Sequence, residues 1–160
     1  MLYEEEARAL EYYPIKFRSA FVVRRLVSVL YREFAVGYEY RGESHPFWEL
    51  VYVDKGNAEI GCDGVPINLR EGCIRFHHPG EFHTIRARGP SAPNLIIVAF
   101  DCASPLMRHF RHFEAALDNE EKRMLGRIIN EAPLAFWPKA PGSYYPLELR
   151  EDMPPWSLQW

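Results

Sequence analysis

The sequence predicts a mainly β protein, a sandwich or barrel of short strands followed by two or more α-helices. Three observations carry this. Residues 21–100 are rich in Val, Ile, Tyr and Phe, broken every several residues by Gly, Pro, Asp or Asn, which is the spacing of short strands and tight turns. Asp63-Gly64 stands between two β-prone runs, and both central residues of a type I′ hairpin turn need positive φ. After Asp101 the apolar spacing lengthens from two residues to three or four, the period of a helix.

Residues 1–20 read as an N-terminal arm. Tyr12-Tyr13-Pro14-Ile15-Lys16-Phe17 gives it aromatic weight without strand alternation. Residues 21–103 form the β region, with strands expected at Phe21–Tyr31, Phe34–Tyr40, Trp48–Asp54, Ala58–Cys62, Cys73–Phe76, Phe82–Ala87 and Leu95–Asp101. Asp54-Lys55-Gly56-Asn57 supplies a second turn. Residues 104–132 form the helical region. Ser104-Pro105 can cap a first helix bearing Leu106, Phe110, Phe113 and Leu117 on one face. Asp118 followed by Glu121 makes a capping box for a second helix, whose stripe of Met124, Leu125, Ile128 and Ile129 should end before Pro133. Residues 133–160 hold six of the 13 prolines among many aromatics and read as a loop-like segment, because proline neither donates to a ladder nor sits inside a helix.

Length and charge bound the function. A chain of 160 residues suits one domain with a core large enough to need no metal or disulfide staple. Twenty-two acids against 19 bases give a net charge of −3, which excludes a strongly basic nucleic-acid binder. The longest apolar run, Leu95 to Phe100, is far shorter than the roughly 18–20 residues of a spanning helix. No basic and apolar leader opens the chain, and Cys62, Cys73 and Cys102 lack CxxC spacing, so they are expected to be reduced, buried and inert in a cytoplasmic protein.

The chemistry concentrates in Gly37-x5-Glu43-x-His45-x3-Glu49-x6-Gly56. On one strand face the odd positions are Glu43, His45, Phe47, Glu49, Val51 and Val53. Such a face suits neither solvent nor a dry core, and a ligand-holding interior explains both halves. Gly72-x5-His78-Pro79-Gly80-x2-His83 then brings further candidates back through a turn. Adjacent His77 and His78 face opposite ways, one inward near His83. The candidate ligand-binding residues are Glu43, His45, Phe47, Glu49, Val51, His78 and His83. Glu43, His45, Glu49 and His83 could instead hold a divalent transition metal, Zn, Ni, Mn or Fe, or simply satisfy one another as a polar cluster. On the even face Trp48, Leu50 and Tyr52 need cover, which Leu106, Phe110, Phe113, Met124 and Ile128 can give. The basic residues at Arg24-Arg25 and around Arg108 to His112 read as solvated faces.

These spacings resemble the two signature motifs of the cupin superfamily, with Glu43 at the first motif's leading histidine, His78 at the second motif's proline and Ala87 at its trailing asparagine. By residue frequency both patterns coincide about once in a thousand such chains. A closer resemblance covers roughly residues 21–131. Arg25-Leu26-Val27-Ser28-Val29, the run from Gly42 to Gly56, Pro79-Gly80-Glu81-Phe82-His83-Thr84-Ile85-Arg86, and Asn94 to Phe100 followed by Ser104-Pro105 are similar to the sensor domain of AraC-type transcriptional regulators. The resemblance implies a cupin (double-stranded β-helix, or jelly-roll) barrel that binds a small effector, with the arm of residues 1–20 able to close over it. It implies a homodimer through the C-terminal helices, and promoter DNA bound only by a helix-turn-helix domain beyond residue 160. No catalysis, cofactor or membrane contact is expected on this reading. The alternatives are a metal-dependent cupin enzyme, an isomerase or dioxygenase, and a cupin that only carries a small molecule.

Overall fold

Two antiparallel sheets enclose the core in the computed structural model, which describes residues 13, 15, 20–138 and 147–152. One sheet runs, in spatial order, β1 (Val23–Glu33), β8 (Asn94–Cys102), β3 (Trp48–Lys55), β6 (Cys73–His77) and β9 (Glu114–Ala116). The other runs β2 (Glu39–Glu43), β7 (His83–Ala87), β4 (Asn57–Cys62) and β5 (Val65–Arg70). A 3-10 helix (Pro105–Phe110) and α1 (Asn119–Ala135) follow, and β10 (Phe136–Pro138) pairs with β11 (Leu147–Leu149).

Alternation decides which residues meet between the sheets. Val51 and Val53 of β3 point inward with Leu95 and Ile97 of β8, and meet Ala58, Ile60, Leu69 and Ile85 of the facing sheet. The even residues of β3 point outward. Trp48 packs with Met107 of the 3-10 helix, while Leu50 and Tyr52 pack with Leu125 and Ile129 of α1. Both predicted faces are therefore present. Phe110 packs in the Trp48 cluster as expected, while Met107, Leu125 and Ile129 each lie one position on from the expected Leu106, Met124 and Ile128. Met124 (59% exposed) and Ile128 (40%) lie on the outer flank of α1, and Leu106 is also exposed. A helical residue covers its neighbour one turn away, so only one of each adjacent apolar pair can face the sheet.

The Asp63-Gly64 turn forms as predicted, with φ of 47° and 84°. Other elements depart from expectation. Of the expected strand Phe34–Tyr40 only Glu39 and Tyr40 are strand, the start of β2; residues 34–38 turn before it, with Phe34 buried against Tyr38 and Gly37 at φ 76°. Residues 65–70 form an edge strand that sequence alternation did not single out, because Pro66 and Asn68 interrupt it; an edge tolerates the donor that proline lacks. The first helix is short. His112 turns at φ 58°, and residues 114–116 add to the edge of β6. Backbone pairing with an open edge outweighs the helical stripe there.

The helix expected to end before Pro133 continues through it to Ala135, since Pro133 lies in the last turn and removes a single backbone bond. The Asp118 capping box is formed, with Asp118 N–H donating to Glu121 at 2.8 Å and Glu121 N–H to Asp118 at 2.9 Å. In the segment expected to be loop-like, Phe136–Pro138 pairs with Leu147–Leu149, and the Arg150 guanidinium lies 3.9 Å over Trp137. Most of the N-terminal arm, and Tyr144, Tyr145, Trp156 and Trp160, lie outside the described residues; Tyr13 and Ile15 are exposed. Cys62 and Cys102 are buried, Cys73 is half-buried, and all three are free thiols. Among the described residues no helix is long and apolar enough to cross a membrane.

Candidate functional site

The site is assembled where the two sheets approach at one end. Register places Glu43 of β2 opposite His83 of β7, and Glu49 of β3 opposite His77 of β6. The run Glu43 to Val53 is not one strand, because residues 44–47 turn between β2 and β3. That turn still returns His45 to the cluster, pinned by Gly80 N–H donating to the His45 carbonyl at 2.9 Å. The ligand-type atoms of Glu43, His45, Glu49 and His83 all lie within 4.8 Å of one another.

Glu49 is the centre. It is 2% exposed, with His45 Nε2 3.5 Å from one oxygen and His83 Nε2 3.4 Å from the other. Burial pushes its carboxyl up, but the close imidazoles of His45 and His83 and the charge of His83 outweigh it, holding Glu49 at about 2. Burial pulls His83 down, and Glu49 more than reverses that, leaving it raised. Glu43 stands at the rim, 4.0 Å from His83 Nε2. Both rings are oriented by backbone carbonyls. His45 Nδ1 donates to Phe47 at 3.0 Å and His83 Nδ1 to Glu81 at 3.2 Å. In the neutral rings the Nε2 lone pairs therefore point at Glu49, and neither buried Nε2 has a hydrogen-bond partner.

Above this cluster opens a cavity of about 210 Å³. Glu43, Glu49 and His83 form its ionic side; Tyr38 and Tyr40 add phenols; Leu30, Phe34, Ile85 and Ile97 form the apolar wall, with Arg32 beside them. Burial and then Glu43 push the Tyr40 phenol up, so it stays a neutral donor. Of the predicted ligand residues, Glu43, Glu49 and His83 line this space. His45 backs Glu49 while stacking on Phe47 with ring centroids 3.9 Å apart, and Phe47 is not on the lining. Val51 is fully buried in the core below. His78 points away, toward Trp48 and Glu81.

The lining residues not anticipated, Tyr38 and Tyr40 above all, join the site because β2 carries an irregularity between Tyr40 and Glu43 that shifts the register. Even-numbered Tyr40 and odd-numbered Glu43 thereby face the same space. Gly42 makes this possible. Its φ is 101°, and a Cβ there would lie 2.6 Å from the His83 carbonyl. A motif glycine beside two tyrosines was the available signal.

Behind the cavity lies a second buried group. His77 stacks on His83 with centroids 4.3 Å apart and donates from Nδ1 to Glu81 at 2.9 Å. Arg75 Nη2 lies 3.7 Å from the same carboxylate oxygen, and Cys62 Sγ lies 3.9 Å from His77 Nδ1. Burial pushes the Cys62 thiol to about 12, with Glu81 adding to it. Burial also lowers His77, so the ring is neutral. The Glu81 carboxyl, raised by burial but bonded by His77 and Cys62, is held at about 2.

A two-sheet antiparallel barrel with carboxylates and imidazoles at one end of its interior defines a cupin-type small-molecule binding domain. The chain belongs to the AraC-like ligand binding domain family, whose profile matches residues 25–104. Among solved structures it is similar to a variant of apo ToxT from Vibrio cholerae, an AraC-family regulator, at TM-score 0.50 and 9% identity over 72% of this chain and 48% of ToxT. It is also similar to a predicted oxalate decarboxylase of Thermotoga maritima (TM-score 0.44, 19% identity, 45% of this chain and 64% of that one). The cupin domain of Cnp3 from Schizosaccharomyces pombe gives TM-score 0.46 and 13% identity over 51% of this chain and 59% of that one. At such identities the likeness shows the fold alone, and this chain spans less than two thirds of each of these proteins. No curated protein gives a significant match.

Proposed function

We propose that the chain senses a small, hydroxyl- or amine-bearing effector, of which a sugar is one class, and dimerises, as part of a cytoplasmic AraC-type regulator. The observation that carries the reading is the cavity itself. Two carboxylates and an imidazole face an aromatic and aliphatic wall across about 210 Å³, a space below the 300–1,000 Å³ or so of drug-sized sites. Ionised Glu43 and Glu49 accept from hydroxyl or ammonium donors, the phenols of Tyr38 and Tyr40 both donate and accept, and the ring of Phe34 packs against carbon. Binding acts by population shift. Strand β3 carries Glu49 on its cavity side and Leu50 and Tyr52 under α1, so a ligand that re-seats β3 also changes the seat of α1. The exposed flank of α1, with Met124 and Ile128, is the dimer contact, and promoter DNA is bound by a domain C-terminal to residue 160. The sensor needs no catalysis and no cofactor.

One observation favours a second reading. The unpartnered Nε2 atoms of His45 and His83, converging on Glu49 with Glu43 beside them, fit a divalent transition metal, and cupin enzymes such as isomerases and dioxygenases use one. When bound, such an ion polarises a ligand oxygen. Glu43, His45, Glu49 and His83 would hold it. Native mass spectrometry of the purified chain separates the two readings. A dimer without stoichiometric metal, binding a screened sugar or amine, supports the sensor. A monomer carrying one transition metal per chain overturns it.

A further inference from the structure

We propose that Cys62, His77 and Glu81 form a second cation site, behind the cavity, for a borderline-soft divalent ion of the zinc class. The inference stands apart from the sensor reading and from any metal in the cavity.

The three ligands come from separate segments: Cys62 ends β4, His77 ends β6, and Glu81 lies in the turn before β7. His77 is 0% and Glu81 1% exposed, Cys62 is buried too, and their ligand atoms lie within 4.8 Å of one another. Tetrahedral zinc sets its sulfur and nitrogen ligands about 3.6 Å apart and its nitrogen and oxygen ligands about 3.4 Å apart. Here Cys62 Sγ and His77 Nδ1 are 3.9 Å apart, and His77 Nδ1 and Glu81 Oε1 are 2.9 Å apart. A small rotation of the Glu81 side chain opens the second spacing.

A further observation fits a cation: Glu81 Oε2 is buried without a hydrogen-bond partner. His78 Nδ1 donates to the Pro79 carbonyl, so in the neutral ring the Nε2 lone pair faces Glu81 Oε2 at 3.4 Å, two acceptors with nothing between them. With Arg75 3.7 Å from Oε1, the thiolate created on binding and the Glu81 carboxylate offset two of the three positive charges that the ion and Arg75 bring, and the third calls for an anionic fourth ligand such as hydroxide. On binding, the His77 proton moves from Nδ1 to Nε2 and the Cys62 thiol releases one proton to solvent. The ion then clamps the turn whose Glu81 carbonyl orients His83.

Cobalt(II) titration of the chelator-stripped chain tests this. A thiolate-to-cobalt charge-transfer band should saturate, vanish in Cys62→Ser, weaken at least tenfold in affinity in Glu81→Gln, and persist in Cys73→Ser and in the cavity variant Glu43→Gln. Absence of the band in the wild type, or its survival in Cys62→Ser, overturns the proposal. X-ray absorption on the zinc-loaded wild type needs no variant. A sulfur ligand near 2.3 Å is expected, and a shell of nitrogen and oxygen alone refutes the site.

Discussion

Replacing Glu49 by Gln keeps the shape of the side chain and removes its charge, which isolates the ionic centre of the site. The fall in its carboxyl from 4.5 to about 2 is worth about 3 kcal/mol, at about 1.4 kcal/mol per pH unit. The group ionises more easily in the folded chain, so this stabilisation is complete above pH 4.5 and is lost as pH falls toward 2. About 1.4 kcal/mol remains at pH 3 by the same linkage. His83 acts in the opposite direction: its pKa is raised above 6.5, so its share is present below 6.5 and fades as pH rises through its folded value. The two shares are one interaction seen from both ends. It is strongest between about pH 4.5 and 6.5, where Glu49 is negative and His83 positive. Urea unfolding of wild type and Glu49→Gln in chelator should therefore show the largest stability gap near pH 5, narrowing by about 2 kcal/mol at pH 3. With a urea slope of about 2 kcal/mol/M, that is about 1 M in the midpoint difference. A gap that stays constant from pH 5 to pH 3 refutes the ion-pair account of the site.

Four further outcomes follow from the geometry. Gly42→Ala must fit a Cβ 2.6 Å from the His83 carbonyl at φ 101°, so it should cost more than about 1 kcal/mol and abolish effector binding, whereas Gly64→Ala, with open space around it, carries only the strain of its φ; thermal unfolding and calorimetric titration compare them. Asp118→Ala removes the capping box of α1 and should cost about 1 kcal/mol, read as a loss of roughly 2–4 °C in Tm. Leu125→Ala empties a buried position and should cost about 2–5 kcal/mol, while Ile128→Asp on the exposed flank should leave the chain folded and, on the proposed dimer contact, shift sedimentation of the wild-type dimer to monomer; an Ile128→Asp dimer of unchanged affinity rules out that flank as the contact.

The alternation of β3 was legible because it is long and unbroken: Glu49, Val51 and Val53 inward, Trp48, Leu50 and Tyr52 outward, as read from residue type alone. The Asp63-Gly64 turn was legible because few other dipeptides accept two positive φ values. Where expectation failed, a tertiary partner had decided the local structure. Residues 114–116 fall within the span of the helical stripe from Leu106 to Leu117, yet the open edge of β6 pairs with them. The same competition hides β5, whose proline is tolerable only because the strand lies at an edge.

The site divides along the same line. Glu43, Glu49 and His83 were accessible from motif spacing, whereas His77, which the register sets opposite Glu49, was passed over for its neighbour His78 because spacing alone does not say which of two adjacent histidines faces inward. Residues brought in by irregularity were not. Tyr40 reaches the cavity through the bulge at Arg41 and Gly42, which inverts the parity of the strand, and no count of alternating positions contains that inversion. The Cys62, His77 and Glu81 group depends on three chain segments meeting behind β7, so three unremarkable residues become a cluster only in the fold. That distribution has a functional consequence. The ionic end of the cavity is set by the registers of two sheets, while its aromatic wall hangs on a turn and a bulge. Ligand-dependent movement is therefore expected first at residues 34–42, and only through β3 at α1.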